Sequence, residues 1–365
     1  MVVEISKVDC AVVLAGGKGT RLRPLTTNIP KPLVPVTLTP MIDFAIKQLT
    51  DAGITKLIVA VKYLGEQIRD YLLTSPKFKN LDISIPDINP VGTADAVRQV
   101  AHLIEGDYVV SMADIVSDLN LKKMQKFFYK TDAYATISLK NIDFPTKKFG
   151  VILLDKEQNI DIFLEKPKPE EMLFTTMAFA YRPVAEFHQN LVNTGIYFFK
   201  YKTLEILESL TDIIDFGQDF FPYLLQEKFK LNGFVDDYYW IDCGNVKSYL
   251  WANYDVMRGF MPNFNPPGKN KDNLYTGENC SISENVQLRP PLVIGNNVTI
   301  KQGSVIGPYT VIHDNVDIAE NSVIERSVIW ENSIIEEDVT IEKSVICRDV
   351  KIEKNRKIIN YSAIS

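Results

Sequence analysis

Leu292-Val-Ile-Gly-Asn-Asn-Val-Thr-Ile300-Lys-Gln-Gly-Ser-Val-Ile306-Gly-Pro-Tyr-Thr-Val-Ile312 puts an isoleucine at every sixth residue: Ile294, Ile300, Ile306 and Ile312. The register runs back through Leu288 to Ile282 and forward through Ile318 and Ile324. It continues at Ile329, Ile335, Ile341, Ile346 and Ile352, with two steps of five where a corner has lost a residue. An ordinary sandwich would show alternation of period two and no fixed six. A six-residue repeat instead specifies a solenoid, in which each unit supplies one short flat strand and one inward aliphatic side chain.

At three strands per turn, as in the left-handed parallel β-helices this segment resembles, thirteen anchors make about four coils. The whole chain has 365 residues, 46% of them apolar, which suffices for two domains. Phe260-Met-Pro-Asn-Phe-Asn-Pro-Pro-Gly-Lys-Asn-Lys-Asp-Asn273 breaks helix and strand patterns with three prolines and many polar residues. The expected division is therefore a first domain over 1–258, a linker over 259–277 and the solenoid over 278–365.

A formal charge of −6 without any lysine or arginine run argues against nucleic acid or an anionic membrane as the main partner. Glu4, Lys7 and Asp9 interrupt the apolar residues at the start, and no apolar stretch approaches membrane-spanning length. A cytoplasmic location is expected. Cys10, Cys243, Cys280 and Cys347 are scattered without a paired metal spacing, which fits reduced thiols.

Before the linker, short aliphatic runs alternate with helical patterns. Asp9 to Ala15, Lys56 to Tyr63 and Tyr108 to Met112 read as strands; Pro40 to Ala52, Glu66 to Leu73 and Thr93 to Ile104 read as helices. This order predicts a mainly parallel α/β sheet with its ligands at the carboxyl ends of the strands. Ala15-Gly16-Gly17-Lys18-Gly19-Thr20-Arg21-Leu22 follows the first strand directly. Glycines there let backbone N–H groups approach phosphate oxygens. The spacing fits neither a dinucleotide fingerprint nor a Walker loop. It continues as Arg23-Pro-Leu-Thr-Thr-Asn-Ile-Pro-Lys31-Pro-Leu-Val-Pro35, with prolines on both sides of a lone lysine.

That whole stretch resembles the signature of the sugar-1-phosphate nucleotidylyltransferases, and the family's other motifs follow in order. The solenoid is similar to the tail of the family's longer members, including mannose-1-phosphate guanylyltransferases and glucose-1-phosphate adenylyltransferases. The resemblance implies a Rossmann-like nucleotidyltransferase domain before the left-handed β-helix. It implies attack of a sugar-1-phosphate oxygen on the α-phosphorus of a nucleoside triphosphate, giving a nucleotide sugar and pyrophosphate. Such a reaction needs cations, backbone donors and a divalent metal more than covalent chemistry. A general base is unnecessary, because a phosphate monoester is mostly dianionic at neutral pH, its second pKa being about 6. His102, His188 and His313, the three histidines, stand in no motif.

By resemblance, Ala15, Gly16, Gly17, Gly19 and Thr20 line the nucleotide phosphates, Arg21 holds the departing β and γ phosphates, and Lys31 neutralises charge near the α-phosphate. Asp114, after the strand Asp107-Tyr-Val-Val-Ser-Met-Ala-Asp114, and Asp242, in Tyr239-Trp-Ile-Asp-Cys-Gly244, are the expected Mg2+ ligands. Ala113 stands where the family has glycine, which adds bulk beside the metal. Asn245, rather than Asp242, is placed to cap the helix that follows. The sugar half is carried by Gly150, Glu165, Lys166, Asn193 and Thr194, with Lys166 on the sugar phosphate. An apolar-rich interval, 169–191, borders it.

The base is expected near Asp87, Gly92 and Thr93, where Thr93 can cap a helix and Gly92 leaves room for a flat ring. A carboxylate only accepts hydrogen bonds, so Asp87 suits the N1–H and N2–H₂ donors of guanine and repels uracil or thymine oxygens. GTP and mannose-1-phosphate are the favoured pair; adenylyl, thymidylyl or uridylyl transfer to glucose-1-phosphate stays open. So does a non-catalytic regulatory paralogue, and so does an acyltransferase tail using His313, which is expected to be exposed on a solenoid corner. The flat faces of the solenoid suit homo-oligomeric assembly.

Overall fold

A computed structural model describes residues 8–142, 151–165 and 191–365. The chain divides into two compact units. One comprises Met1–Gly17, Ala45–Ala113 and Leu119–Trp240; the other comprises Lys18–Phe44, Asp114–Asp118 and Ile241–Ser365.

The first unit is built on a sheet in which an interior strand, β1 (Cys10–Ala15), is buried along its whole length. In chain order, taking both units together, the elements after β1 are β2 (Pro35–Val36), β3 (Thr39–Pro40), α1 (Met41–Asp51), β4 (Lys56–Val61), α2 (Gly65–Thr74), β5 (Asp82–Ser84) and α3 (Thr93–Gln99), of which β2 and β3, like the later Ile115–Ser117 and Val246–Met257, belong to the second unit. Next come β6 (Tyr108–Met112), β7 (Ile115–Ser117), α4 (Leu121–Thr131), β8 (Ala135–Asn141), β9 (Val151–Leu154), β10 (Ile160–Leu164) and β11 (Leu191–Phe199). The series ends with α5 (Lys202–Ser209), α6 (Phe221–Gln226), β12 (Leu231–Val235), β13 (Trp240–Asp242) and α7 (Val246–Met257).

The main sheet has the order β12-β8-β11-β6-β1-β4-β5. All neighbours run parallel except β11, which is antiparallel to both β6 and β8. Strands covered on both faces read as continuous apolar runs, which is why Cys10–Ala15 and Tyr108–Met112 were legible. One expected element differs in detail. The helix expected over Thr93 to Ile104 ends at Gln99, because Leu103 and Ile104 donate to the carbonyls three residues back and tighten the chain into one turn of 3₁₀-helix. The interval 169–191 lies almost wholly outside the described residues, as do Gly150 and Lys166.

In the second unit, two sheets of five strands and one of seven stack with parallel pairing, apart from one antiparallel edge strand in the last, consistent with a left-handed β-helix. The aliphatic anchors from Ile294 to Ile352 form one buried cluster. Stacked partners lie 18 residues apart at first, as in Ile294↔Ile312, and 17 apart later, as in Ile335↔Ile352, which is the effect of the two steps of five. Five coils form rather than four, because Ile358 and Ile364 extend the register beyond Ile352. The segment expected as linker also joins the sheet. Lys269–Lys271 pairs with Leu274–Thr276, which pairs with Leu292–Ile294. Its polar side chains are compatible with an edge strand, where only the backbone must find partners.

Corners carry a second order that complements the anchors. Asn279, Asn297, Asn315, Asn332 and Asp349 all have φ between 55° and 59°, and each asparagine amide donates to the next residue in the column at 2.9–3.3 Å. Asparagine and aspartate tolerate the left-handed region better than other non-glycine residues.

His313 corrects an expectation: it is 6% exposed, not a solvated corner residue. Its Nε2 has no hydrogen-bond partner and its Nδ1 lies 3.7 Å from Glu331. Burial, with the Arg348 guanidinium adding to it, pushes the imidazole down to about 3. A base whose folded pKa is depressed contributes stability above its ordinary value of 6.5, lost progressively as pH falls towards about 3. We expect the melting temperature to fall between pH 6.5 and pH 4 with a slope shallower by up to about one proton in His313→Leu. Identical slopes in the two proteins would contradict this.

Candidate functional site

Charge gathers in the second unit around Lys31. Gly19 has φ 59°, and a Cβ there would meet Lys31 Cβ and Thr26 Cγ2 at 3.1 Å each, so this left-handed position takes glycine on two counts. The Thr26 hydroxyl closes the turn by donating to the Gly19 carbonyl at 2.8 Å. One turn of 3₁₀-helix, Thr20–Leu22, then presents Arg21, whose side chain is 74% exposed. A second, Lys31–Leu33, is braced by Pro30 before it and Pro32 within it.

The Lys31 side chain is 7% exposed, and its Nζ lies 2.8 Å from Asp114 Oδ2 and 3.0 Å from Asp242 Oδ1. Asp242 ends β13, which pairs with β7, the strand that begins directly after Asp114. That short ladder is what lets two carboxylates far apart in sequence converge on one ammonium. Arg21 Nη2 approaches Asp242 Oδ2 at 3.6 Å. Behind the pair sits Gly244, where a Cβ would come within 3.0 Å of Asp242 Oδ2 and 3.3 Å of Arg21 Nη2. Gly244 was quoted in its motif without a role; the Asp-Cys-Gly spacing was the signal for it.

Burial alone would lower the Lys31 pKa, but the facing Asp114 and Asp242 carboxylates more than offset it and the net direction is upward. Cys243 is fully buried, and burial pushes its thiol up to about 12 despite Lys31 nearby. At neutral pH it is a protonated thiol. Asn245 caps α7 with a reciprocal pair: its Oδ1 accepts from the Ser248 N–H at 3.0 Å, and its own N–H donates to Ser248 Oγ at 3.2 Å. This leaves Asp242 free of capping duty.

Among the described residues no three His, Cys, Asp or Glu side chains cluster as a closed metal cage. Asp114 and Asp242 do fit Mg2+, which takes one or two protein carboxylates and completes its shell with phosphate oxygens and water. Their side chains are 33% and 34% exposed, so both remain open to solvent, and both already face a cation. Ala113 is fully buried and donates its N–H to the Leu14 carbonyl at 3.0 Å, so its methyl group is part of the core.

The first unit carries the remaining candidates. Ala15 is buried at the end of β1; a Cβ on Gly16 would touch Lys62 Cβ at 3.2 Å, whereas Gly17 faces open space. Asp87 is exposed and lines a cavity of about 570 Å³ with Lys62, Leu64, Gly65, Arg69 and Ile88. Thr93 is the first residue of α3, not its cap: its hydroxyl donates to Asp215 Oδ2 at 2.9 Å and accepts from the Phe216 N–H at 3.0 Å. The room that Gly92 leaves is filled by the chain itself, since a Cβ would lie 2.4–2.5 Å from Ile214.

Asn193 Oδ1 accepts from the Gly195 N–H, and its Nδ2 donates to the Tyr197 hydroxyl at 2.9 Å. Thr194 is 1% exposed, and its hydroxyl is engaged with Ser138 and Tyr238, so it braces the sheet and offers nothing outward. Glu165 packs over Gly217, where a Cβ would meet its Oε2 at 3.0 Å. Asp215, which anchors Thr93 and caps 216–220, was missed; no local pattern links residues 122 positions apart.

Residues 10–259 match the nucleotidyl transferase family, and residues 271–365 match the EIF2B subunit epsilon LbH domain. A UTP–glucose-1-phosphate uridylyltransferase of Synechocystis is 29% identical over 78% of this chain and 73% of its own length. The bifunctional protein GlmU of Methanocaldococcus jannaschii is 30% identical over 78% of this chain and 60% of its own. A mannose-1-phosphate guanyltransferase of Saccharomyces cerevisiae is 31% identical over 66% and 62%. The chain thus spans less than two thirds of the length of several of these relatives. It belongs to the nucleotidyl transferase family, and within it to the sugar-1-phosphate nucleotidylyltransferases that carry C-terminal hexapeptide repeats.

A lysine whose folded pKa is raised contributes stability that is fully present below its ordinary value of 10.5 and lost as pH rises through the folded value. The stability difference between the wild type and Lys31→Met should therefore stay constant from about pH 7 to 10 and narrow only above 10.5. Denaturant titrations across that range check it; a difference that shrinks between pH 8 and 10 contradicts it.

Proposed function

We propose that this chain transfers a nucleotidyl group from a nucleoside triphosphate to a sugar-1-phosphate, releasing pyrophosphate, with GTP and mannose-1-phosphate as the favoured pair. The observation that carries the reading is the cluster in which buried Lys31 joins Asp114 and Asp242, with Arg21 at its edge. A phosphate oxygen of the sugar attacks the α-phosphorus; the new P–O bond forms as the bond to the β-phosphate oxygen breaks, and pyrophosphate leaves with that electron pair. No proton need be removed from the nucleophile, because a phosphate monoester is mostly dianionic at neutral pH.

Lys31 holds a fixed positive charge whose raised pKa keeps it protonated throughout the neutral range. Arg21, exposed and forked, is suited to two phosphate oxygens of the leaving group. Asp114 and Asp242 would hold Mg2+, which when bound screens the phosphate charges. Lys166 and Glu165 are assigned to the sugar phosphate and hydroxyls, and Gly16, Gly17 and Gly19 to the nucleotide phosphates. Asp87 is assigned to the base, as an acceptor facing guanine donors. Residues 1–258 do the chemistry and 278–365 assemble the protein into a cytoplasmic homo-oligomer.

Pyrophosphate release, measured with Mg2+ across GTP, ATP, UTP and dTTP against mannose- and glucose-1-phosphate, tests this directly. GTP with mannose-1-phosphate should be turned over fastest. A strong preference for UTP, the substrate named for the Synechocystis relative, removes the role given to Asp87. No release from any pair supports a regulatory protein instead. Lys31→Gln should lower kcat by about 10²–10³, the scale for deleting one fixed charge-stabilising group.

A further inference from the structure

Tyr249 is fully buried on α7, and its hydroxyl stands between two partners in the second unit. It donates to the Pro35 carbonyl at 2.7 Å and accepts from the Trp330 indole N–H at 3.0 Å. Indole nitrogen can only donate, so the order of protons along this chain is fixed: Trp330 to Tyr249 to Pro35. Trp330 directly follows the solenoid strand Val328–Ile329 and is itself buried, with its ring set edge-on to Tyr249 at 6.4 Å. One helical turn further on, Asn253 Oδ1 accepts from the Thr37 N–H at 2.8 Å, and its Nδ2 donates to the Tyr249 carbonyl at 2.8 Å.

What α7 grips is the turn between β2 and β3, just after the one-turn helix that carries Lys31. Thr37 and Leu38 have φ 47° and 70°, a left-handed pair without glycine, which persists only when its surroundings hold it. The opposite end of the same scaffold bears on the same ammonium, because α7 begins four residues after Asp242. Helix α7 therefore meets the Lys31 segment on one side and leads back to a Lys31 partner on the other.

We infer that Trp330 is a positioning residue: through Tyr249 it fixes the backbone behind Lys31, so that the third coil of the solenoid sets the place of the lysine between its two carboxylates. This rests on the proposed reaction for its kinetic consequence, though not for its structural one. Removing one link leaves a buried donor or acceptor unsatisfied, which loosens the turn without touching any charged group.

Tyr249→Phe, which removes a single oxygen, and Trp330→Phe, which removes the indole N–H along with some ring volume, test it in the full chain by hydrogen exchange and by turnover. Each should speed amide exchange at Val34, Val36 and Thr37 by about tenfold while leaving β1 and β6 unchanged, the factor expected for one buried hydrogen bond. Each should lower kcat by about tenfold with both KM values within roughly twofold, and the double variant should be no slower than Tyr249→Phe alone. Exchange at wild-type rates in both variants, or kcat at the wild-type value in both, overturns the inference. Should Trp330→Phe fail to fold, Tyr249→Phe decides alone. Should the wild type release no pyrophosphate, the proposed reaction falls and the exchange rates decide this inference by themselves.

Discussion

Two carboxylates held close together in a half-enclosed place cannot both stay ionised at little cost without a cation between them. Like charges about 4 Å apart repel by about 4 kcal/mol at the effective dielectric of a protein surface. Lys31 is that cation, 7% exposed and within 3.0 Å of both Asp114 and Asp242. Several local features make sense as consequences. Prolines 30 and 32 stiffen the segment around it, Gly19 lets the chain pass beneath it, and Gly244 leaves space for the Asp242 carboxylate. The pairing of β7 with β13 carries the two acids to one place. Each of these is a backbone arrangement bent to the requirement of one charge pattern, and a charge pattern of that kind is already most of what phosphoryl chemistry asks of a protein.

The solenoid obeys a simpler rule, burial at one position in six, and it is correspondingly more readable. Ile294 through Ile352 were legible because each anchor repeats the same inward environment. Corner asparagines were equally legible in retrospect, since a left-handed φ at a fixed offset selects them. The fifth coil was missed only because the count stopped at Ile352. The edge strand Lys269–Lys271 was missed for a different reason: it needs backbone partners and no apolar side chain, so composition carries no sign of it, while its neighbour Leu274–Thr276, with Tyr275 buried, was passed over among the polar residues before it.

Legibility fails in general where a side chain's partner is remote. Ala15, Gly19, Arg21, Lys31, Asp114 and Asp242 could be picked out because the signature confines them to short motifs. Nothing around Thr93 announces Asp215, and so its hydroxyl was read as a cap when it is a tether. Nothing around Gly92 announces Ile214, and the space it leaves was given to a ligand when the chain itself occupies it. His313 was read as solvated because polar residues surround it in sequence, whereas Trp330, one coil on, covers it. Thr194 looked like a sugar contact and is instead locked to Ser138 and Tyr238.

The start of α3 sharpens the division of labour among the candidates. A helix N-terminus with free N–H groups would be an obvious place for a phosphate. Here the N–H groups of Ala94 and Asp95 both donate to the Ile214 carbonyl, at 2.9 and 3.2 Å, and Asp95 places a carboxylate in the first turn. That carboxylate is itself tied to the Val91 N–H, Arg98 and Gln99. The helix end is thus already satisfied and faces a negative group, so it is poorly suited to an anion and better suited to an uncharged ring. On the proposed reaction, with that N-terminus excluded, the phosphates would fall to the cations and the glycine-rich turn, and loss of Lys31 should then lower kcat more than any change at Thr93.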